Sequence, residues 1–586
     1  MGKATSGISR RNFLTGAGIL AAGVAGAGLV SCSPKAEQGA SAKTSEADAK
    51  TDLAPSPWGD YYPWPAKAPE ISDDMVEEEL DCDVAVVGMG VAGVAAFRAA
   101  CEGGAKVIGL EKGAGNQCRS SQYCYLNGKL TDEFGLPHLD LEAIIAEEFG
   151  ECNYMTNYDI IRKFIYGDAE AMDWWIEGAD CEILKDFDTM AAMQDPSIKV
   201  PVGVSCMSDP TIDWTKERQA AYPECLNFSD HQAVLDRNYQ KGLDASPDST
   251  AYYGHFAEKL IQDDSGRVCG VYARNAETGK YKKINAKNGV CMASGCCRSN
   301  DDMVRYFAPN LIYNGNGNPF PNTDVEGNRT NTGDGYKMGY WAGAMIQQFQ
   351  CSQMHVMGGP GDDGDQSKSM GFTGPLLRIN YDGKRFMNED TCAADAEYAL
   401  ELQPKHKCFM IADANFEEDA KLCVNTFPAT LDQWDARVGD GTIFKGSTLK
   451  ELFESIDGMD VYAALATVEE YNKMCEAAQG ADPQDTTFDT KYAKKAKYLR
   501  PVSDGPFYAQ RMGVGLCLVM MGGLESNENA EVLDVERKVI PGLYAAGNIQ
   551  GSRFVLKYPF RLSGHSHAMA MFYGKVAGEN AAKKLS

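Results

Sequence analysis

Three glycines spaced Gly88-x-Gly90-x-x-Gly93, with the acid Glu111 further on, are the residues whose spacing points most directly to chemistry. They lie in DVAVVGMGVAGVAAFRAACEGGAKVIGLEK (83–112), which reads as an apolar strand, a turn, a helix with apolar residues at helical spacing, and a second strand ending at Glu111. The glycines provide the tight turn, let the backbone approach a pyrophosphate, and pack helix against strand. The pyrophosphate would rest on the helix N-terminus, where free N–H groups and the dipole favour an anion. Glu111 is placed to accept hydrogen bonds from a ribose. Glycine spacing by itself is weak; strand, turn, helix, strand and acid in order specify a dinucleotide site. Near the other end, GLYAAGNIQG (542–551) is a strand closing on Gly547, and RLSGHSHAMAMFYGKVAGENAA (561–582) is a final helix entered through Gly and Ser. Two such features so far from the fingerprint imply one elongated cofactor spanned by distant segments.

The remaining chain narrows the classes. With 586 residues it exceeds a single core. A net charge of −26 excludes a nucleic-acid partner, which needs clustered Lys and Arg. Seven histidines and 19 cysteines without a C-x-x-C signal neither a histidine-rich metal site, a compact iron–sulfur site nor c-type haem. Cys291, Cys296 and Cys297 read as buried thiols, with an iron–sulfur ligand left open. The turn GKRFMNEDTCAA (383–394) is either a solvated hairpin or the rim of a site that has lost its acid.

At the N-terminus, Arg10 and Arg11 precede the apolar run 15–30, too short and Gly/Ala-rich for a spanning helix. This resembles a twin-arginine export signal over 1–32, and LVSC makes Cys32 a candidate lipid anchor. Residues 33–80 read as a tether. The expected location is extracytoplasmic: periplasmic or cell-surface.

The fingerprint, NTGDGYKMGYWAGA (331–344), GKRFMNE, TLKELF…TVEEYN, PFYA (506–509), MGGL (521–524) and IPGLYAAGN occur in one order. Together they resemble the fumarate reductase/succinate dehydrogenase flavoprotein family, and within it the exported single-chain reductases of anaerobic bacteria that saturate activated C=C bonds. The resemblance implies an α/β fold: a Rossmann-like FAD-binding domain split into 81–340 and 505–586, with an inserted α+β capping domain, 341–504. It implies FAD beside Gly88, Gly90, Gly93, Glu111, Lys112, Ser120, Ser121, Asp334, Asn548 and Ser566. Asn548 stands where a glutamate is usual. The family's flavin-linked histidine has no counterpart in CRSSQYCYLNG (118–128), so FAD is expected to be non-covalent.

The same resemblance puts Ala393 where fumarate reductases carry their protonating arginine, and Val519 where they carry a substrate-binding histidine. Arg385 and Glu389 are then expected to pair as scaffold. Arg561 aligns with the arginine that grips a substrate carboxylate. The implied reaction moves hydride from flavin N5 to the C=C of an unsaturated acid, ketone or lactone larger and less polar than fumarate. The compound would serve as terminal electron acceptor. Candidate proton donors are Tyr125, His355, Tyr398, Tyr508, His565 and His567. Electrons would come from a separate cytochrome or membrane-linked flavoprotein, since no second dinucleotide fingerprint is present and the acidic GGPGDDGDQ (358–366) would repel phosphates. The alternatives are a dehydrogenase desaturating a steroid-like ketone and an exported electron carrier.

Overall fold

Val76–Val87 is strand β1, from which the chain passes through helix α1 (Val91–Glu102) into strand β2 (Val107–Glu111). Helices α2 (Leu141–Glu151) and α3 (Tyr158–Trp175) precede strands β3 (Thr250–Tyr253), β4 (His255–Gln262), β5 (Val268–Asn275) and β6 (Tyr281–Met292). Helix α4 (Asp334–Trp341) and strands β7 (Ser352–Val356) and β8 (Arg378–Ile379) come next. Helix α5 (Ala393–Glu401), strands β9 (Lys407–Ala412) and β10 (Ile443–Gly446) and helix α6 (Val461–Ala477) follow. Strands β11 (Phe507–Gly513), β12 (Leu516–Met521), β13 (Glu531–Leu533) and β14 (Val539–Ala545) lead to helix α7 (His565–Ala582). The computed structural model describes residues 64, 67–119, 122–183, 202–206, 213–221, 224–228, 230–318, 322–349, 351–356, 376–391, 393–420, 430–559 and 561–583. Among them no helix is long and apolar enough to cross a membrane.

The main sheet has the order β13-β14-β6-β1-β2-β3, with β5 hydrogen-bonded to β6 and β4 to β5. Strands β14, β6, β1, β2 and β3 run parallel. Helix–strand alternation enforces this, and it demands strands that are apolar on both faces. Val84–Val87 meets the demand, being buried throughout. The Rossmann-like α/β core expected from the fingerprint is therefore present. Helices α1 and α7 lie against each other so closely that a Cβ on Gly574 would meet Ala92 O at 2.3 Å.

Two expected boundaries move. The tether ends before residue 80, because Val76–Leu80 already pairs with Tyr281–Ile284. Its charges are what disguised it: Glu78 pairs with Lys282, and Glu79 with Lys283 at 2.9 Å, so the acidic run is half of a cross-strand charge ladder. Trp64, also assigned to the tether, is buried with its ring centroid 5.8 Å from that of Phe307. At the other boundary, β11 does not return to the parallel sheet. It pairs with β9 and β10 in a separate four-stranded sheet, β8-β9-β11-β10. Its residues Phe507 and Ala509 pack with Phe409, Ile411, Phe453 and Tyr471 in that sheet's own core. The ribbon β7–β12, Ser352↔Met521 through Val356↔Leu516, carries the chain between the two sheets.

Candidate active site at the carboxyl ends of the parallel strands

Strands β1, β6 and β14 are neighbours, and the loops leaving their carboxyl ends meet. Ala293 N donates to Val87 O at 2.8 Å and Ala546 N to Met292 O at 2.9 Å. A Cβ on Gly547 would come within 3.0 Å of Ala92 Cβ, and one on Gly335 within 3.2 Å of Ile549 Cδ1. Ligands of open α/β sheets bind at such a place. Gly88 turns there with φ +93°, and a Cβ on Gly93 would lie 1.7 Å from Gly88 O, so only glycine permits the crossing. Helices α1, α4 and α7 begin at Gly90, Gly333 and Gly564, and none has a side-chain cap on its first amides.

Glu111 closes the first loop: its Oε2 accepts from Met89 N at 2.9 Å and its Oε1 from Gly113 N at 2.8 Å. Each carboxylate oxygen retains a lone pair for a ribose hydroxyl. Lys112 Nζ donates to Thr332 Oγ1 and to Asp334 Oδ2, both at 2.8 Å, tying β2 to the start of α4. Burial would raise the Asp334 carboxyl, but the Lys112 ammonium overrides it and holds the group below its ordinary value. Asn548 Oδ1 accepts from Arg553 Nη2 at 3.3 Å, and Ser566 N donates to the Tyr558 hydroxyl at 3.1 Å. Ser120 and Ser121 lie outside the described residues.

Several buried polar atoms around these loops lack a hydrogen-bond partner among the described residues: Ser294 Oγ, both amide atoms of Gln550, Arg553 Nη1 and both ring nitrogens of His565. Atoms of this kind are open to a polar ligand or to water. Glycine crossing, ribose acid, uncapped helix starts and orphaned donors together fit FAD.

The catalytic candidates separate. Tyr125 is spent on structure: its hydroxyl donates to Asp173 at 2.9 Å and accepts from Leu130 N at 2.8 Å, and burial pushes its pKa up. Tyr508 belongs to the second sheet, where it donates to Asp435 at 3.0 Å with the Lys445 ammonium 5.1 Å from its ring centroid. Both hydroxyls are therefore engaged by partners within the chain. Tyr398 is half-buried on α5. His355 has its backbone on β7, but its side chain lies outside the described atoms, as does that of Ala393 at the start of α5. Arg561 is at the surface, its side chain 48% exposed and its Nη2 3.0 Å from Glu147 Oε2. His567 is half-buried, with Nδ1 3.0 Å from Gln122 O, and burial lowers its pKa.

His565 opens α7 from inside the core, stacked on Phe164 and edge-on to Phe554. Burial drives it down to about 3, with Arg553 adding to the effect, so it is neutral at physiological pH. Its Nδ1 lies 3.3 Å from Glu148 Oε2, although the contact lacks hydrogen-bond geometry. Burial raises the Glu148 carboxyl well above its usual range. Burial thus pushes the acid towards its neutral form beside a neutral imidazole, which disfavours an ion pair. Glu148 had a legible signal: on α2 it falls on the face of Ile144 and Ile145. Arg553 had none. Lys557 also went unread; its Nζ bridges Glu151 on α2 at 2.7 Å and Asp395 on α5 at 2.8 Å.

The described part of the charged turn, 383–391, carries a structural ion pair. Arg385 donates to Glu389 at 2.9 and 2.7 Å, as expected, within the core. The family's second lost position, Val519, stands opposite Met354 on the β7–β12 ribbon, and both pack on the main apolar cluster. Among the described residues no group of three or more His, Cys, Asp or Glu could hold a metal ion. Cys291, Cys296 and Cys297 are all buried.

The family model described as an FAD binding domain matches residues 83–559. A probable fumarate reductase of Shewanella frigidimarina is 30% identical over 325 residues, covering 56% of this chain and 49% of that protein, so this match spans about half of the relative's length. The vinyl phenol reductase of Lactiplantibacillus plantarum is 25% identical over 531 residues, covering 86% of this chain and 96% of that one. Among solved structures, the 3-ketosteroid-Δ4-(5α)-dehydrogenase of Rhodococcus jostii has the same fold, with a TM-score of 0.65 at 23% identity over 88% of this chain and 100% of that one. With its glycine crossing, ribose acid and matched length, this chain belongs to the FAD binding domain family of fumarate reductase-like flavoproteins, which are FAD-dependent oxidoreductases.

Proposed function

We propose that this protein reduces the activated C=C bond of an α,β-unsaturated acid, ketone or lactone that is larger and less polar than fumarate. The observation that carries the substrate class is one apolar pair on the ribbon: Val519 opposite Met354, where a fumarate site needs a second carboxylate ligand. Neither side chain of that pair carries a charge to meet a second carboxylate. The relatives named for reducing fumarate and vinyl phenol support the direction.

FAD, when bound, supplies the hydride from its N5 position. The chain's own work is positioning and charge. The Val519–Met354 pair excludes water and holds the alkene. Arg561, released from Glu147, would grip a carboxylate or carbonyl at the mouth of the site. The proton for the α-carbon is held on the Glu148 carboxyl beside His565 Nδ1. Tyr398 and His355 remain proton-donor candidates within this reading. FAD is held without a covalent link. A capping domain covering most of 341–513 closes on the site. Export through the twin-arginine segment, anchoring at Cys32 and a separate cytochrome or flavoprotein donor complete the proposal.

The test is anaerobic. The flavin is reduced with viologen, and unsaturated acids, ketones and lactones are screened for reoxidation, with fumarate as reference. At least one bulky acceptor should outpace fumarate. Fumarate outpacing every bulky acceptor would refute the substrate class. Turnover only with an oxidising dye would reverse the direction, and no substrate-dependent reoxidation would leave an electron carrier. Fractionation and the mass of the mature N-terminus test export.

A further inference from the structure

Among the described residues, nothing neutralises the cation Arg553. It is 1% exposed. Its Nη2 reaches only the neutral amide oxygen of Asn548, at 3.3 Å, and its Nε approaches Gln550 O at 3.5 Å. Nη1 has no acceptor among the described residues. Among the described residues the ionisable groups that act on it are Tyr336 on α4, Tyr558, Tyr573 on α7, and His565; the Glu148 carboxyl stands behind His565, and burial pushes it towards its neutral form. Its guanidinium carbon lies 5.3 Å from the Phe554 ring centroid, an apolar neighbour on one side. Taking such a group out of water costs several kcal/mol unless an anion accompanies it. Burial accordingly pulls its pKa down to about 10, still high enough to keep it charged at neutrality.

The place of this charge is informative. Asn548 and Gln550 belong to the loop leaving β14, where the parallel strands present their carboxyl ends, and His565 begins α7 beside it. An acid at 548 would cancel the guanidinium; the amide leaves it available. The orphaned atoms of Gln550 and His565 are in the same neighbourhood.

We propose that Arg553 is the counter-charge for the anionic oxygen that appears when two electrons enter this site. The inference rests on the FAD reductase reading above. Two electrons and one proton from the donor leave one negative charge on the cofactor's pyrimidine ring. Hydride departure to the β-carbon then moves that charge to the substrate's carbonyl oxygen, until the α-carbon takes one proton. The oxygen is therefore on the cofactor carbonyl or on the substrate enolate, and a single guanidinium matches either.

The experiment uses holoenzyme carrying Arg553→Met, Arg553→Lys or Asn548→Asp. Inorganic sulfite, which adds to the oxidised flavin and leaves a negative charge on the same ring, reports the counter-charge directly. If the cofactor carries the oxygen, Arg553→Met weakens sulfite binding at least tenfold and lowers the midpoint potential by about 30 mV for each tenfold preference lost. Asn548→Asp reproduces the loss by pairing the guanidinium, and Arg553→Lys retains most of the effect. If the enolate carries it, sulfite affinity and potential stay put while single-turnover reoxidation by the best acceptor falls at least tenfold. Apoprotein Tm is the control for folding: Arg553→Met should equal or exceed the unaltered protein, since an uncompensated buried charge is removed. A lower Tm, or an unchanged sulfite affinity, potential and reoxidation rate at equal FAD content, overturns the proposal. Unaltered protein that takes up no FAD would defeat the cofactor reading instead, so the two failures are distinguishable.

Discussion

Arg385 and Glu389 lock together through two hydrogen bonds, Nε to Oε1 at 2.9 Å and Nη2 to Oε2 at 2.7 Å, with their side chains 5% and 0% exposed. Asp489 Oδ2 sits 2.6 Å from the same guanidinium, and Lys494 Nζ 3.2 Å from Glu389. The turn that looked like the rim of an active site is the ionic core of the second sheet's layer.

Removing one member should be costly. Arg385→Met leaves two buried carboxylates facing Lys494 and should lower stability by about 3–5 kcal/mol in urea unfolding. Replacing Arg385 and Glu389 together by apolar residues should cost less than the sum of the single changes. Burial would raise the Glu389 carboxyl, but Lys494 and then Arg385 hold it below its ordinary value of 4.5. Its contribution is therefore complete above about pH 4.5 and disappears as pH falls through the lower folded value.

The fingerprint glycines should fail differently. A Cβ at Gly93 would sit 1.7 Å from Gly88 O, whereas one at Gly90 would sit 3.4 Å from Gln117 O. Gly93→Ala should lower the apoprotein Tm and abolish FAD uptake. Gly90→Ala should leave the apoprotein Tm nearly unchanged and weaken FAD binding tenfold or more, because the fingerprint would bring its backbone against the pyrophosphate. Equal FAD affinity in Gly90→Ala and the unaltered protein would move the phosphate site elsewhere.

Glu397 on α5 predicts an alkaline weakness. Its Oε1 accepts from Gly515 N at 2.6 Å and Asn316 Nδ2 at 3.1 Å, while Oε2 has no partner. Burial pushes the carboxyl up to about 8, helped by Glu401. The folded state keeps a proton that the unfolded chain releases, so stability should fall as pH rises from about 4.5 to about 8 and then level. Glu397→Gln should flatten that slope in urea titrations at pH 5, 6.5 and 8.

Arg561 tests the mouth of the site. Its pair with Glu147 is half-exposed, so Arg561→Met should change stability by less than about 1 kcal/mol. Acceptor-dependent reoxidation should nevertheless fall tenfold or more at unchanged FAD content. An unchanged rate would remove Arg561 from substrate binding.

What the sequence determined by itself was everything that is local and periodic. Gly88, Gly90, Gly93 and Glu111 lie within one strand–turn–helix–strand unit, so their spacing alone specified the cofactor end of the sheet. The pairing of Arg385 with Glu389 was equally legible, being four residues apart in a tight turn. The tertiary structure decided what depends on partners far along the chain. Glu78 and Glu79 looked like a solvated tether until Lys282 and Lys283 arrived beside them. Tyr125 and Tyr508 looked available until Asp173 and Asp435 took their hydroxyls. Arg553 and Arg561 are the same residue type eight positions apart, yet one is sealed in the core and the other pairs with Glu147 at the surface. Burial is set by the packing of segments distant in sequence, and desolvation by that packing, not residue type, decides which charge can act.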